Sequence, residues 1–239
     1  MTVFIKRTIV KCHDSMKTKI IMIGGKGTAV VIAEQIIDAI ERFNYPAELI
    51  GFAFDDPEMT EVLGMPILCH SYEVLEKYGK YEDVKFIYQL YRPDLIRVRS
   101  ELRDSFNIPI EKYHNFIHPS AYVAHSAKIG YGNVILANDV VNSHAVIGNH
   151  NTFNSGDLIG HDTIIGDSNF FAAQVCIGSG IHIGNMNFVG LNSGLRNEIT
   201  IGDECVVGMA SNVTKSLHDK VVVYGNPAKE KEKLNNIIR

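Results

Sequence analysis

Apolar residues recur at every sixth position through the second half of this 239-residue chain. Every sixth residue from Ile117 to Val213 is aliphatic or a phenylalanine, and glycine often follows, as at Gly130, Gly148 and Gly166. Because side chains alternate between the two faces of a strand, a step of six keeps the apolar residue on one face and leaves room for a turn. The pattern predicts coils of three short strands that stack into a triangular prism with an apolar interior.

Two further features of the repeat fit such a prism. We expect its glycine and asparagine residues to supply the positive φ that the corners require. Small or polar residues stand four positions after the aliphatic residue, as at Ala121, Asn133, Asn151 and Ser193. The spacing does not determine the handedness of the coil, and general rules for parallel crossovers favour a right-handed one.

The first half of the chain has a different pattern. The stretch KIIMIGG predicts a short buried strand over 20–23 and a glycine turn, and an amphipathic helix is predicted over 28–43. The stretch AELIGFAFDD predicts a second strand that ends near Asp55 and Asp56, VKFIYQL a third, and a helix follows Pro93. Alternating strands and helices predict a parallel sheet in an α/β domain.

The glycine turn and the two aspartates mark the predicted ligand edge of this sheet, at the carboxyl ends of its strands. A glycine turn that opens a helix presents free backbone N–H groups, which suit a phosphate. Asp55 lies 31 residues beyond Gly24, farther than the spacing of about 20 residues in dinucleotide folds, which argues against NAD. The carboxylates either bind a pyrimidine or ribose, or form a solvated turn before Pro57.

Charge and composition exclude several partners. A formal net charge of −4 gives no broad positive field for nucleic acid or anionic lipid. The four cysteines are far apart and form no CxxC pair, a pattern typical of a reducing compartment. No apolar run approaches the roughly 20 residues of a membrane span. We therefore expect a cytoplasmic protein without a nucleic-acid or membrane partner.

Four motifs, taken together with the α/β domain, carry a resemblance to a known family over 17–229. They are IHPSA at 117–121, GHDTIIGD at 160–167, FVGLNSGL at 188–195 and YGNPAK at 224–229. With them the chain resembles the hexapeptide-repeat acyltransferases that acetylate amino groups on nucleotide-activated sugars, typified by UDP-4-amino-sugar and perosamine N-acetyltransferases. Proteins described as sialic acid O-acetyltransferases share this layout.

The resemblance implies an α/β Rossmann-like N-terminal domain followed by a left-handed parallel β-helix. The domain boundaries that we predict divide the chain into an N-terminal extension over 1–16, a nucleotide-sugar-binding domain over 17–112, an acetyltransferase β-helix over 113–217 and a tail over 218–239. The left hand of the helix comes from the resemblance alone.

The family's chemistry is acetyl transfer without a metal, from acetyl-CoA to the amine of a nucleotide-linked amino-deoxy sugar used in polysaccharide biosynthesis. By the same match, His161 is the general base and Asp162 raises its basicity. Acetyl-CoA lies in a groove between subunits of a homotrimer. The positions that match this groove are Phe170, Gly190, Leu191 and Met209. The positions that match the nucleotide-sugar site are Lys26, Gly27, Thr28, Asp55 and Asp56.

The chain departs from the family pattern at several of these positions. Relatives commonly carry GAGGHA at the glycine turn, so Lys26 replaces a small residue and Thr28 a histidine. The segment QLYRPD stands where many have a GN-type turn, and Phe170 stands where some have histidine. From the residues alone, Asp162 is the nearest carboxylate for His161, and Asp157 is the alternative.

Three other functions compete with amine acetylation. The first is O-acetylation of a sialic-acid-like sugar, and the second is a non-catalytic protein that binds a nucleotide sugar. The third is zinc chemistry of the γ-carbonic anhydrase kind, which shares the hexapeptide prism but uses an HxxxxH pair. His144 and His150 are six residues apart, so the repeat does not match that zinc site.

Overall fold

Parallel β-structure forms both halves of the protein, as a computed structural model covering residues 17–231 shows. The predicted extension over 1–16 and the end of the predicted tail, 232–239, lie outside the described residues. The predicted α/β domain and the predicted prism of stacked coils are both present in the described range.

The N-terminal domain alternates strands and helices. Its elements are β1 (Thr18–Ile23), α1 (Thr28–Phe43), β2 (Ala47–Ala53), β3 (Glu61–Val62), β4 (Met65–Cys69), α2 (Val74–Tyr78), β5 (Val84–Tyr88) and α3 (Ile96–Ser105), with 3-10 turns at Ser71–Glu73, Pro93–Leu95 and Ile110–Lys112. The sheet order is β3-β4-β2-β1-β5, and only the β3–β4 hairpin is antiparallel. The three predicted strands and two predicted helices are confirmed, whereas the hairpin and α2 were not predicted.

Helix α1 follows from its apolar stripe. Ile32 and Ile36 are fully buried, and they join Ile20 of β1 in one apolar cluster. The helix begins after Gly27, whose φ of 58° suits glycine, and ends at Asn44, whose left-handed conformation lets its N–H bond to the Ala39 carbonyl. The buried stripe fixes the helix on the sheet and so places its N-terminus beside the carboxyl end of β1.

Seventeen two-residue strands build the three faces of the prism, and each predicted apolar position is the second residue of one strand. Face 1 contains β6 (Phe116–Ile117), β9 (Val134–Ile135), β12 (Thr152–Phe153), β15 (Phe170–Phe171), β18 (Phe188–Val189) and β21 (Val206–Val207). Face 2 contains β7 (Tyr122–Val123), β10 (Val140–Val141), β13 (Leu158–Ile159), β16 (Cys176–Ile177), β19 (Gly194–Leu195) and β22 (Asn212–Val213). Face 3 contains β8 (Lys128–Ile129), β11 (Val146–Ile147), β14 (Ile164–Ile165), β17 (His182–Ile183) and β20 (Thr200–Ile201).

Each strand pairs in parallel with the strand 18 residues later, as Phe153 does with Phe171. The aliphatic columns fill the interior, where Phe153 and Phe171 stack with ring centroids 4.8 Å apart. Face 1 continues beyond the repeat into β23 (Val222–Tyr224) and the antiparallel β24 (Lys229–Lys231). The backbone N–H and carbonyl groups of one coil therefore form hydrogen bonds with those of the next coil, and the side-chain columns keep the coils in register.

We name the corners by the face they follow: edge 1 after face 1, edge 2 after face 2 and edge 3 after face 3. The third residue after each aliphatic position has positive φ throughout 132–210, and it is often neither glycine nor asparagine, as with His144, Asp162 and Gln174. The prediction that glycine and asparagine supply this conformation is therefore only partly correct. The position directly after the aliphatic residue requires glycine for a different reason, the close approach of the next coil. A Cβ on Gly166, for example, would lie 2.7 Å from the Gly184 carbonyl oxygen of that coil.

Polar contacts and one apolar cluster join the two domains. The Gln89 side chain donates to the Thr152 hydroxyl over 2.9 Å, and Gln35 donates to the Ser155 hydroxyl over 2.9 Å. Phe116 of the prism packs in the same buried cluster as the core of the α/β domain. The domain thus sits against face 1, with contacts to edge 1 and, through Arg97 and Arg103, to edge 3.

Two kinds of feature are absent from residues 17–231. None of the helices in 17–231 is long and apolar enough to cross a membrane. The same part of the chain contains no group of three or more histidine, cysteine, aspartate or glutamate side chains arranged to hold a metal.

Two carboxyl groups are buried one above the other inside edge 1. The Asp139 side chain accepts the Asp157 N–H over 2.8 Å, and Asp157 accepts the Val175 N–H over 2.7 Å. Burial raises the pKa of Asp157 to about 8, and burial together with the charge of Asp157 raises the pKa of Asp139. Both groups favour the protonated form in the folded protein.

Because Asp157 is buried, we predict that the stability of the protein depends on pH and that Asp157→Asn weakens this dependence. The folded-state pKa of Asp157 is raised, so its favourable contribution is present at low pH and is lost as pH rises toward 8. We expect the wild-type melting temperature to fall from pH 5 to pH 8, by the equivalent of a few kcal/mol. Asp157→Asn, which is neutral at every pH, should flatten this decline in thermal melts, and an unchanged slope would refute the assignment.

Candidate active site

The predicted pair lies on edge 2, where the chain turns from β13 to β14. Nδ1 of His161 lies 2.7 Å from Oδ2 of Asp162, a hydrogen-bond distance, and both side chains are more than half exposed. Adjacent residues in an extended strand would point to opposite sides. Asp162 has φ of 58°, and this left-handed corner brings its carboxylate back to the preceding ring.

The electrostatics of this pair favour a histidine that can accept a proton. The hydrogen bond from His161 is the main cause that lowers the pKa of the Asp162 carboxyl, so Asp162 is ionised at neutral pH. A carboxylate on Nδ1 fixes the imidazole tautomer and leaves Nε2 free to accept a proton. The alternative partner, Asp157, is wrong because its carboxyl is fully buried inside edge 1.

The other histidines of the repeat differ from His161 in their surroundings. His150 packs edge-on to Tyr113 and Tyr131, and its burial lowers its pKa to about 3, so it is a poor proton acceptor. His182 is exposed on β17. His144 is exposed on edge 2, one coil before Asp162.

A large cleft of about 950 Å³ lies between the α/β domain and edge 1. All four positions that match the acetyl-CoA groove line it, as do three of the five that match the sugar site: Phe170, Gly190, Leu191, Met209, Lys26, Gly27 and Thr28. Leu191 and Met209 are exposed apolar side chains. The cleft therefore offers an apolar wall on the prism side and the glycine turn on the other.

A stack of three aromatic rings forms the floor of this cleft. The Tyr91 ring stacks on Phe170 with centroids 4.0 Å apart, and Phe170 stacks on Phe188 at 5.9 Å. Tyr91 belongs to the QLYRPD segment that departs from the family pattern. Tyr91 of this segment covers the Phe170 ring, which is only 6% exposed. Phe170, one of the predicted groove positions, therefore offers little surface to a ligand.

The glycine turn requires its glycines for close approach. A Cβ on Gly24 would lie 2.7 Å from the Gln89 carbonyl oxygen, and one on Gly25 would lie 2.7 Å from the Phe54 ring. No side chain of the described residues caps the N-terminus of α1. Thr28, the first residue of α1, lines the cleft together with Lys26 and Gly27, so the positive end of the helix dipole lies at this cleft.

The two predicted aspartates lie behind this turn and do not line the cleft. Asp56 binds the Lys26 ammonium at 2.5 Å, and that hydrogen bond is the main cause that lowers the pKa of Asp56. Asp55 accepts hydrogen bonds from the Ser71 N–H, over 2.9 Å, and from the Ser71 hydroxyl. Asp56 thus positions Lys26, and Asp55 ties β2 to the 3-10 turn after β4.

The structure separates the predicted residues into two groups on different edges of the prism. His161 and Asp162 lie on edge 2, whereas Gly190, Leu191 and Met209 lie on edge 1 and line the cleft. One face of the prism separates the two edges within a chain. Within one chain, the pair and the cleft therefore lie apart.

Several lining residues were not predicted from the sequence. They are Tyr91, Pro93, Asn154, Ala172, Ala173, Phe188, Gly208 and Tyr224. Five of them follow the repeat, because the cleft runs along the column of residues one coil apart on face 1 and edge 1. Stepping by 18 from Phe170 and Gly190 would have found Phe188, Ala172 and Gly208.

Solved structures similar to this chain extend over most of its length. Perosamine N-acetyltransferase from Caulobacter crescentus, in complex with CoA and GDP-perosamine, is 25% identical; the match covers 90% of this chain and 97% of that chain, with a TM-score of 0.75. The acetyltransferase domain of PglB from Neisseria gonorrhoeae FA1090 is 25% identical over 90% of this chain and 100% of that chain, with a TM-score of 0.79. WeeI from Acinetobacter baumannii AYE, 23% identical over 90% of this chain and 100% of that chain with a TM-score of 0.72, has the same fold.

Neither a scan against protein-family models nor a search of the curated proteins by sequence finds a match. The structural matches confirm the left-handed β-helix that the resemblance implied, in place of the right-handed coil that general crossover rules favour. The predicted resemblance is likewise confirmed: the chain is similar, across both domains, to hexapeptide-repeat sugar acetyltransferases.

Proposed function

We propose that the protein transfers an acetyl group from acetyl-CoA to the amine of a nucleotide-linked amino-deoxy sugar, with His161 as general base. It is thus an acyl-CoA-dependent acetyltransferase, as are its structural neighbours with bound CoA or acetyl-CoA. The observation that carries the role of His161 is its 2.7 Å hydrogen bond to Asp162 on an exposed corner of the prism.

The reaction needs a base because the attacking amine becomes cationic as its nitrogen bonds the thioester carbon. Nε2 of His161 takes the proton from that nitrogen, the carbon–sulfur bond breaks, and the proton then passes to the departing CoA thiolate. Asp162 stabilises the imidazolium through Nδ1. Histidine suits this role because its ordinary pKa of about 6.5 leaves it unprotonated yet basic near neutral pH.

The cleft on edge 1 suits acetyl-CoA and the nucleotide sugar together. The pantetheine arm of CoA is long and largely apolar, which matches the exposed side chains of Leu191, Met209 and Tyr224. The diphosphate of a nucleotide sugar carries negative charge, which matches Lys26 and the N-terminus of α1. Acetyl-CoA therefore runs along the prism and the sugar nucleotide reaches in from the α/β domain.

A homotrimer would account for the separation of the pair from the cleft, which are then two half-sites of one active site. In a cyclic assembly, edge 2 of one subunit faces edge 1 of the next, so that His161 meets a cleft contributed by its neighbour. Every subunit then contributes one base and one cleft. The acetylated nucleotide sugar would serve polysaccharide biosynthesis in the cytoplasm.

The substrate class is tested with a panel of nucleotide-linked amino sugars and their hydroxyl analogues, with release of free CoA thiol as the readout. We expect turnover with an amino sugar and none with the matching hydroxyl sugar. Turnover of a sialic-acid-like hydroxyl acceptor alone would show O-acetylation instead. Binding of the nucleotide sugar without any thiol release would show a non-catalytic protein.

The base is tested by His161→Ala, with His182→Ala as a matched control on another exposed histidine of the prism. Loss of a general base should lower kcat by about 10²-fold to 10⁴-fold, and the control should keep full activity. Asp162→Asn should give a smaller loss, because the amide still holds the ring but no longer stabilises the imidazolium. Equal rates for both alanine variants would contradict the assignment.

Lys26→Ala should weaken binding of the nucleotide sugar selectively. We expect its KM for the nucleotide sugar to rise about tenfold while KM for acetyl-CoA stays unchanged, and the effect should shrink at high salt. Lys19→Ala is the matched control, because Lys19 forms a comparable pair with Asp83 at 3.0 Å but lies at the opposite end of β1. A rise in KM for acetyl-CoA instead would assign Lys26 to the CoA phosphates.

A further inference from the structure

A second histidine faces the carboxylate of the proposed catalytic pair. Nδ1 of His144 lies 3.4 Å from Oδ1 of Asp162, while His161 takes the other oxygen at 2.7 Å. The two rings therefore contact the two oxygens of one carboxylate. His144 stands 18 residues before Asp162, which is one coil of the prism.

The backbone fixes this arrangement. His144 and Asp162 occupy the same corner position in successive coils, with φ of 59° and 58°. The His144 N–H donates to the Ser126 hydroxyl over 3.0 Å, and the Asp162 N–H donates to the Ser143 carbonyl over 3.0 Å. The distance between the two side chains is thus set by coil stacking.

We infer that His144 is a positioning residue, which holds Oδ1 of Asp162 so that Oδ2 faces the ring of His161. This inference rests on the proposed function of His161. At 3.4 Å between exposed side chains the contact is longer than a strong hydrogen bond and adds little to stability. Its effect is to restrict the rotation of an exposed carboxylate that would otherwise leave the ring for part of the time.

The chain itself shows which replacements the corner accepts. Asn138 and Ala210 occupy the equivalent position at corners of edge 1, the third residue after the aliphatic one, with φ of 64° and 53°. His144→Asn and His144→Ala are therefore compatible with the backbone of this corner. Asparagine places an N–H donor near the position of Nδ1, whereas alanine leaves the carboxylate free.

The test compares steady-state kinetics of these two variants. We expect His144→Ala to lower kcat about threefold to tenfold with both KM values unchanged, and His144→Asn to restore most of that loss. In an Asp162→Asn background, His144→Ala should cause no further loss, because the group through which it acts has been changed. Melting temperatures of both variants should match the wild type.

Full kcat in His144→Ala would overturn the inference, as would a loss that simply multiplies with that of Asp162→Asn. A loss that asparagine does not restore would also overturn it, since a donor at this position would then be irrelevant. If His161→Ala kept its activity, the proposed function itself would fail. If His161→Ala were inactive while His144→Ala had full kcat, this inference alone would fail.

Discussion

The parallel register between coils, in which each strand pairs with the one 18 residues later, is the constraint on which the rest of the structure depends. Because the coils keep this register, every sixth residue returns to the interior and every eighteenth residue returns to the same edge. The aliphatic columns supply the apolar burial, and glycines such as Gly166 let the coils approach closely. The same register aligns surface side chains into columns, which places His144 beside Asp162 on edge 2 and lines the cleft on edge 1.

Edge 2 shows how this register produces chemistry. The corner conformation at Asp162 turns an aspartate toward the histidine that precedes it, and coil stacking places His144 against the same carboxylate. A rigid backbone thus holds three exposed side chains without burying any of them. The pair can meet a substrate brought by another surface, because it projects from the prism.

Elements with a repeating pattern could be predicted from the sequence, whereas elements that depend on distant residues could not. The hexapeptide repeat predicted the strands of the prism, and the apolar stripe over 28–43 predicted helix α1. Both patterns lie in neighbouring residues and can be read locally. The β3–β4 hairpin was missed because a two-residue strand has no period to detect. A corner that returns the Asp162 carboxylate to the His161 ring was expected, but its left-handed φ at Asp162 was not, because that conformation comes from the coil and not from a glycine.

The candidate site was predictable only in part for the same reason. The resemblance predicted His161 as the base and seven of the positions that line the cleft, but it could not show that positions for acetyl-CoA and for the sugar share one cleft. It also predicted Asp55 and Asp56 at the nucleotide sugar, and the structure adds their contacts with Ser71 and Lys26, which no local pattern predicts. The Tyr91 stack on Phe170 joins residues that are far apart in sequence, so no local motif revealed it.

The central claim is that the reacting site combines edge 2 of one subunit with the cleft of another. Co-expression of two variants, His161→Ala and Met209→Arg, each designed to remove one half-site, tests it most directly through acetyl-CoA turnover of the resulting assemblies. Each variant keeps the half-site that the other has lost, so at equal expression we predict recovery of roughly a quarter of wild-type turnover, the statistical share of intact sites over all pure and mixed cyclic assemblies. Mixed assemblies as inactive as either parent would contradict the claim.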